Sequence, residues 1–306
     1  MHTTDKAHQE LLRAWQAQVR SKPWLALSFA GFLLFIFVLL LITAYQGLHI
    51  ENFHYAFSGG MAGFLATTAG ALLIFFTRGV SLPTQDSLLG FAAGMMLAAS
   101  AFSLILPGIE AAEEILDQRF LAAAIVVLGL GLGTLMMLGL DYFTPHEQAS
   151  EALCDTECRR LSGIWLFVFA IALHNLPEGM AIGISFTHGD LQIGLPLTLA
   201  IAIQDIPEGF AVALALRSAG LSSTKAFLIG AATGVLEPIG AILGFAMSSS
   251  VALAYPLSMG LAAGAMIFVV CHEVIPETHR NGHQAAATSG LMAGFAVMMF
   301  LDTALG

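Results

Sequence analysis

The chain has 306 residues, 57% hydrophobic and only 10% charged, with a net charge of −10 and a mean hydropathy of +0.82. A soluble domain carries about 25% charged residues. The composition therefore excludes a water-soluble globular protein and, with its negative balance, a partner of nucleic acid. What remains is an all-α, polytopic bundle of helices whose solvent is mostly the lipid bilayer.

In chain order, residues 1–23 form a cytoplasmic N-terminal segment. Leu11, Leu12, Trp15 and Val19 recur there at helical spacing, which fits either a short surface helix or a frayed tail. A span needs about 20 mostly apolar residues. Nine stretches qualify, near 24–46, 52–77, 86–107, 120–141, 162–187, 191–216, 225–248, 252–275 and 285–304. The first lacks a small-x-small cleavage site and reads as an uncleaved anchor. Two connections are longer than the rest. One, Gly108 to Arg119, carries Glu110, Glu113, Glu114 and Asp117. The other, Tyr142 to Ser162, carries His146, Cys154 and Cys158. With Cys271 these are the only cysteines, too few for a disulfide framework.

Lysine and arginine concentrate on the cytoplasmic side of membrane proteins. Nine spans with the N-terminus inside and the C-terminus outside leave only Arg119, of eleven basic residues, on the outer side. The same orientation makes GMMLAASAFSLILP (94–107) travel outward and GAMIFVVCHEVIP (264–276) inward. Each runs from Gly through Met to Pro, a faint inverted echo of the kind that marks many secondary transporters.

The chemistry concentrates in two matched phrases, HNLPEG (174–179) and QDIPEG (204–209). Helical positions three and four apart share a face. Glu178 thus sits beside His174 and Asn175, and Glu208 beside Gln204 and Asp205. If the two helices pack antiparallel on these faces, Glu178 and Glu208 meet in the middle. One flank then holds His174 and Gln204, the other Asn175 and Asp205, an arrangement suited to two cations bridged by two glutamates. Pro177 and Pro207 lack an N–H and free the carbonyls of Leu173 and Ile203. Glu237, in VLEPIG (235–240), adds a carboxylate one crossing further on. A charge at a helix centre costs roughly 2.5–3.5 kcal/mol on insertion scales, so four acids would cost on the order of 10 kcal/mol. No Lys or Arg lies inside these spans to offset it. Protonation could neutralise some of them; two divalent cations would neutralise all four, and mixed imidazole, carboxylate and amide donors suit Zn²⁺ and other transition metals. Polar residues acting only as hydrogen-bonding glue between helices fit seven matched groups poorly.

Other polar residues carry weaker readings. His272 and Glu273, at the inner end of a span ahead of Pro276, are candidate gate or exit residues or plain interface residues. Asp86 is a candidate gate or exit residue, or a helix N-terminal acid stabilised by the dipole. Asp141 and Asp302 lie near span ends. HEVIPETH (272–279) has its second histidine at the wrong distance for a zinc-protease motif. His279 and His283, with His146, Cys154 and Cys158, read as solvated loop residues or as a place where metal is received. The outer acids with His188 and Asp190 form an acidic cap.

These residues resemble the ZIP (Zrt/Irt-like protein) family of divalent-metal transporters, prokaryotic branch, from about residue 50 onward. The paired motifs match that family's fourth and fifth core helices, and the LEP at Glu237 its sixth. The resemblance implies an eight-helix core over 50–306 with inverted repeats, preceded by an extra N-terminal transmembrane helix at 24–46. It implies one metal site from Met96, His174, Glu178, Gln204 and Glu208, and a neighbour from Asn175, Glu178, Asp205, Glu208 and Glu237. Met96 enters through the resemblance, since a lone membrane methionine otherwise reads as packing. The family commonly has His at Gln204, so Cd²⁺, Mn²⁺ or Fe²⁺ as well as Zn²⁺ is an expected substrate. The resemblance also implies transport toward the cytoplasm in a cell membrane, a homodimer, and a motif-bearing block that slides against a scaffold built around the Met96 helix. Small faces at GGMAG (59–63) and GLAAG (260–264) are expected on the sliding contacts. Two other functions are weighed against a metal transporter. A membrane metallohydrolase needs an open metal position and a free base, and no catalytic motif supplies them, so no enzyme activity is expected. A proton-coupled carrier of another solute would use the acids as proton relays.

Overall fold

The computed structural model describes residues 52–77, 80–143, 168, 172, 175–189, 191–218, 220–248 and 252–305. The first span, residues 144–162 of the second long connection, most of the first half of the 162–187 span with His174, and Asp190 therefore lie outside the described residues, as do the expectations attached to them. The described residues are almost wholly helical and contain no strand. They are α1 (Phe53–Leu72), α2 (Leu82–Ala99), α3 (Leu106–Leu116), α4 (Arg119–Phe143), α5 (175–185), α6 (Leu191–Ser218), α7 (Ser223–Thr233), α8 (Leu236–Ser248), α9 (Ala254–Val269), α10 (Ile275–His279) and α11 (Gln284–Leu305). Joined end to end, these helices give seven stretches long and apolar enough to cross a membrane. The chain is a multi-pass membrane protein.

Three spans depart from simple continuous helices. α2 and α3 form one rod, joined by a π-helical segment at Ser100–Ile105. α9 and α10 are joined in the same way at Val270–Val274. Each π segment lies just before a proline, Pro107 or Pro276, whose missing N–H already interrupts the ladder. The inverted echo at 94–107 and 264–276 thus coincides with the same backbone irregularity in both halves. It also moves two expected features. The acidic stretch after Gly108 is not a loop but the last turns of a helix that runs to Leu116, where Asp117 in the left-handed conformation ends it. His272 and Glu273 lie within a π segment, not at the end of a span. The third departure is the 225–248 span. It breaks at Gly234–Val235, so that Glu237 stands in the first turn of α8.

Glycines decide which helices pair. A Cβ on Gly90 or Gly94 would overlap the carbonyl of Ala287 or Leu291, and one on Gly290 or Gly294 that of Ser87 or Phe91. α2 and α11 are therefore in backbone contact through reciprocal G-x-x-x-G faces. α4 and α9 do the same through Gly129, Gly133, Gly260 and Gly264, and α5 and α8 through Gly179, Gly183, Gly240 and Gly244. α1 and α6 meet at Gly70 and Gly209.

These contacts sort the helices into two sets. One is α2–α3, α4, α9–α10 and α11. The other is α1, α5, α6, α7 and α8. Among the described residues, no glycine's Cβ position meets a helix of the other set. Where the sets meet, α2 packs on α6, α8 on α9 and α11 on α6. They share an apolar cluster that includes Met96, Met259, Ile182 and Leu197. GGMAG and GLAAG are consequently not at the boundary. Gly59, Gly60 and Gly63 face α5, α6 and α8, and Gly260 and Gly264 face α4, each within its own set. Close approach of backbones is used to lock a set together, where one fixed geometry is rewarded.

Candidate metal centre

α5 and α6 each carry a proline one residue before the motif glutamate, and α6 carries Pro196 as well. Glu208 lies toward the middle of α6, and Glu178 in the first described turn of α5. Glu178, Gln204, Asp205, Glu208, Glu237 and Asn175 are all buried, none more than 2% exposed. One ligand oxygen from each of Glu178, Asp205 and Glu208 lies within 4.8 Å of the others. Zn–O bonds are about 2 Å, so ligands of one ion are spaced up to about 4 Å apart, close to this separation. Two helices at i, i+3 and i, i+4 spacing deliver these groups to one point.

The amides divide between the two flanks. Gln204 Nε2 donates to Glu178 Oε1. Asn175 Nδ2 lies 3.5 Å from Glu237 Oε1. The break at Gly234–Val235 brings the Glu237 carboxylate inward, and Thr67 Oγ1 of α1 donates to the same Oε1 at 2.6 Å. Five buried oxygens then have no hydrogen-bond partner among the described residues: Glu178 Oε2, Gln204 Oε1, Asp205 Oδ2, Glu208 Oε1 and Glu237 Oε2. Buried polar groups are ordinarily paired, because leaving one unpaired costs about 1–3 kcal/mol. These five acceptors, from five residues on the three adjoining helices α5, α6 and α8, are a donor-atom set that could hold a cation.

Met96 is fully buried in α2, the neighbouring set, and its carbonyl accepts from Ser100 Oγ at 2.8 Å. It packs in the shared apolar cluster. His174 lies outside the described residues. The candidate gate residues are dispersed. Asp86 is buried near the start of α2 and is not a lone N-terminal acid. Asn281 Nδ2 reaches its Oδ1 at 2.8 Å, and His283 Nδ1 its Oδ2 at 2.8 Å. The turn between α10 and α11 is thereby fastened to α2. His272 is exposed and stacks on Phe268 with ring centroids 5.0 Å apart. Ser103, in the first π segment, donates to Asp302 Oδ1 at 2.7 Å.

Sequence reasoning missed Thr67 and Gly63, the α1 residues beside Glu237. A Cβ on Gly63 would overlap Glu237 Oε2 and stand 3.2 Å from Asp205 Oδ2. The available signal was their i, i+4 spacing, which puts a hydroxyl one turn from a gap on the same face. The partners of Asp86 were also missed, since nothing local ties residue 86 to residues 281 and 283.

Comparison with known proteins places this geometry. Residues 144–302 match the family model described as ZIP Zinc transporter. The chain is 60% identical over 300 residues to a protein of Bordetella bronchiseptica named Zinc transporter ZIPB, covering 97% of each chain. It is 40% identical to Zinc transporter GufA of Myxococcus xanthus, over 81% of this chain and 99% of that one. It is 31% identical to the human Zinc transporter ZIP11, over 78% and 94% of the two chains.

Proposed function

The chain belongs to the ZIP zinc-transporter family, and from that premise we propose that it carries divalent transition metal, Zn²⁺ first, toward the cytoplasm through a binuclear site in mid-membrane. The observation that carries this reading is the set of five unpartnered buried oxygens converging from α5, α6 and α8. Glu178 and Glu208 bridge two ions. The first ion takes Gln204 with His174 and Met96, and the second takes Asn175, Asp205 and Glu237. Gln204 offers an amide oxygen where an imidazole would favour zinc more strongly, so Cd²⁺, Mn²⁺ or Fe²⁺ also passes.

Movement follows an elevator-like route, in which the set bearing the acids travels against the other. The sorting of glycine contacts supports this: glycine-mediated backbone contacts lie within each set, and an apolar cluster spans the boundary. Asp86, His272 and Glu273 attend the metal's release. The protein works as a homodimer in the cell membrane, with the N-terminus cytoplasmic, the C-terminus outside, and residues 24–46 as an additional helix beside the 50–306 core. It transports and does not catalyse.

Uptake by purified protein in vesicles tests the reading, with metals compared at controlled pH and membrane potential. Inward accumulation of Zn²⁺ is expected, and Glu178→Ala or Glu208→Ala abolishes it while the protein still elutes as a folded species. Normal uptake by either variant contradicts the assignment.

A further inference from the structure

α1 carries no acid and no motif, yet it forms one wall of the site. Thr67 Oγ1 donates to Glu237 Oε1 at 2.6 Å, and Asn175 Nδ2 reaches the same oxygen at 3.5 Å. Both donors therefore hold one oxygen of Glu237. The other, Oε2, has no partner among the described residues and points to the space left by Gly63. The unpaired Asp205 Oδ2 borders the same space, 3.2 Å from the position of a Gly63 Cβ. Gly234 is hemmed in as well, its Cβ position lying 2.9 Å from Thr67 Cβ and 3.2 Å from Glu237 Oε1. Thr67 is 2% exposed, so its hydroxyl is not competing with water.

We propose that Thr67 is the positioning residue, and Gly63 the space-making residue, of the second metal site. The hydroxyl pins Oε1 so that Glu237 presents Oε2 alone, one-handed, toward Asp205. The missing side chain at Gly63 is the room into which that oxygen projects. This inference rests on the binuclear reading above. It adds a helix that carries neither metal-binding motif.

A buried hydrogen bond to a carboxylate fixes its rotamer, and losing it frees Glu237 to turn away from Asp205. Thr67→Val keeps the shape and removes the donor. The test is calorimetric titration of purified protein in detergent with Cd²⁺, fitted for two sites, with thermal melting as the folding check. Wild type takes up two ions. Thr67→Val is expected to weaken the second site about tenfold and leave the first within twofold, and Thr67→Ser to restore it, a rescue that a packing role would not give. Gly63→Ala is expected to displace Glu237 and lose the second ion through an independent route. Two ions bound as tightly by Thr67→Val and Gly63→Ala as by wild type would overturn the inference while leaving the binuclear reading intact. A single ion in wild type would instead overturn the binuclear reading itself.

Discussion

The two sets of helices obey one packing rule and hold opposite interiors. In both, glycines at i, i+4 bring backbones into contact, as at Gly94 against Leu291 and at Gly183 against Ala241. In the α2–α4–α9–α11 set, packing is the main content of the buried face: Ala93, Met95, Ala262, Met266 and their like. In the α1–α5–α6–α8 set the same packing surrounds Glu178, Gln204, Asp205, Glu208 and Glu237. Close packing is therefore not what marks the metal centre. The mark is a group of acceptors without donors, at a depth where an unpaired polar atom is expensive.

The largest effect that would break this contrast is on transport. Glu208→Ala removes an oxygen that lies within 4.8 Å of ligand oxygens from both Glu178 and Asp205, and vesicle uptake of Zn²⁺ should fall to background with the melting temperature nearly unchanged. Next, Gly94→Val should do the reverse. Its side chain would overlap the Leu291 carbonyl, so the expected result is poor folding, seen as loss of the monodisperse peak in detergent. Metal affinity of whatever folds should be preserved. A smaller effect probes the boundary. His188, following α5, meets the ring of Tyr255 in α9 edge to face at 4.4 Å, a contact that joins the two sets. Cysteines at these positions joined by a short bifunctional reagent should block uptake several-fold. The same reagent across cysteines at Phe102 and Phe295, whose rings lie 5.9 Å apart within one set, should leave it intact. Smaller still, Asn281→Ala with His283→Ala unfastens the turn from Asp86 and should speed hydrogen exchange at 280–283 with little change in uptake. The smallest is Ser81→Ala, which removes the cap on Thr84 N at a cost of about 1 kcal/mol, read as a slightly lower melting temperature.

What was legible in the sequence is what depends on short spacings. HNLPEG and QDIPEG put acids and amides on one helical face by i, i+3 and i, i+4 arithmetic alone, and the convergence of Glu178, Asp205 and Glu208 follows. Hydropathy located the seven spans found among the described residues. The π segments were not legible, because a proline after a methionine-rich run is compatible with a plain kink. The helix break before Glu237 was hidden for a similar reason: Gly234 and Pro238 are tolerated within a membrane helix, and only packing decides that they end one. The glycine faces were visible as G-x-x-x-G in six helices, but a motif does not name its partner. Gly260 and Gly264 accordingly invited a sliding role, where the fold uses them to clamp α9 to α4. Thr67 was invisible because its partner is 170 residues away.

The central claim is that the buried acids converge to hold divalent metal. Anomalous scattering from crystals grown with Cd²⁺ tests it most directly. Two peaks are expected, on either side of the Glu178 and Glu208 carboxylates, one beside Gln204 and one beside Asp205 and Glu237. A structure without density there, in which those five oxygens take hydrogen bonds from protein or water, would contradict the account.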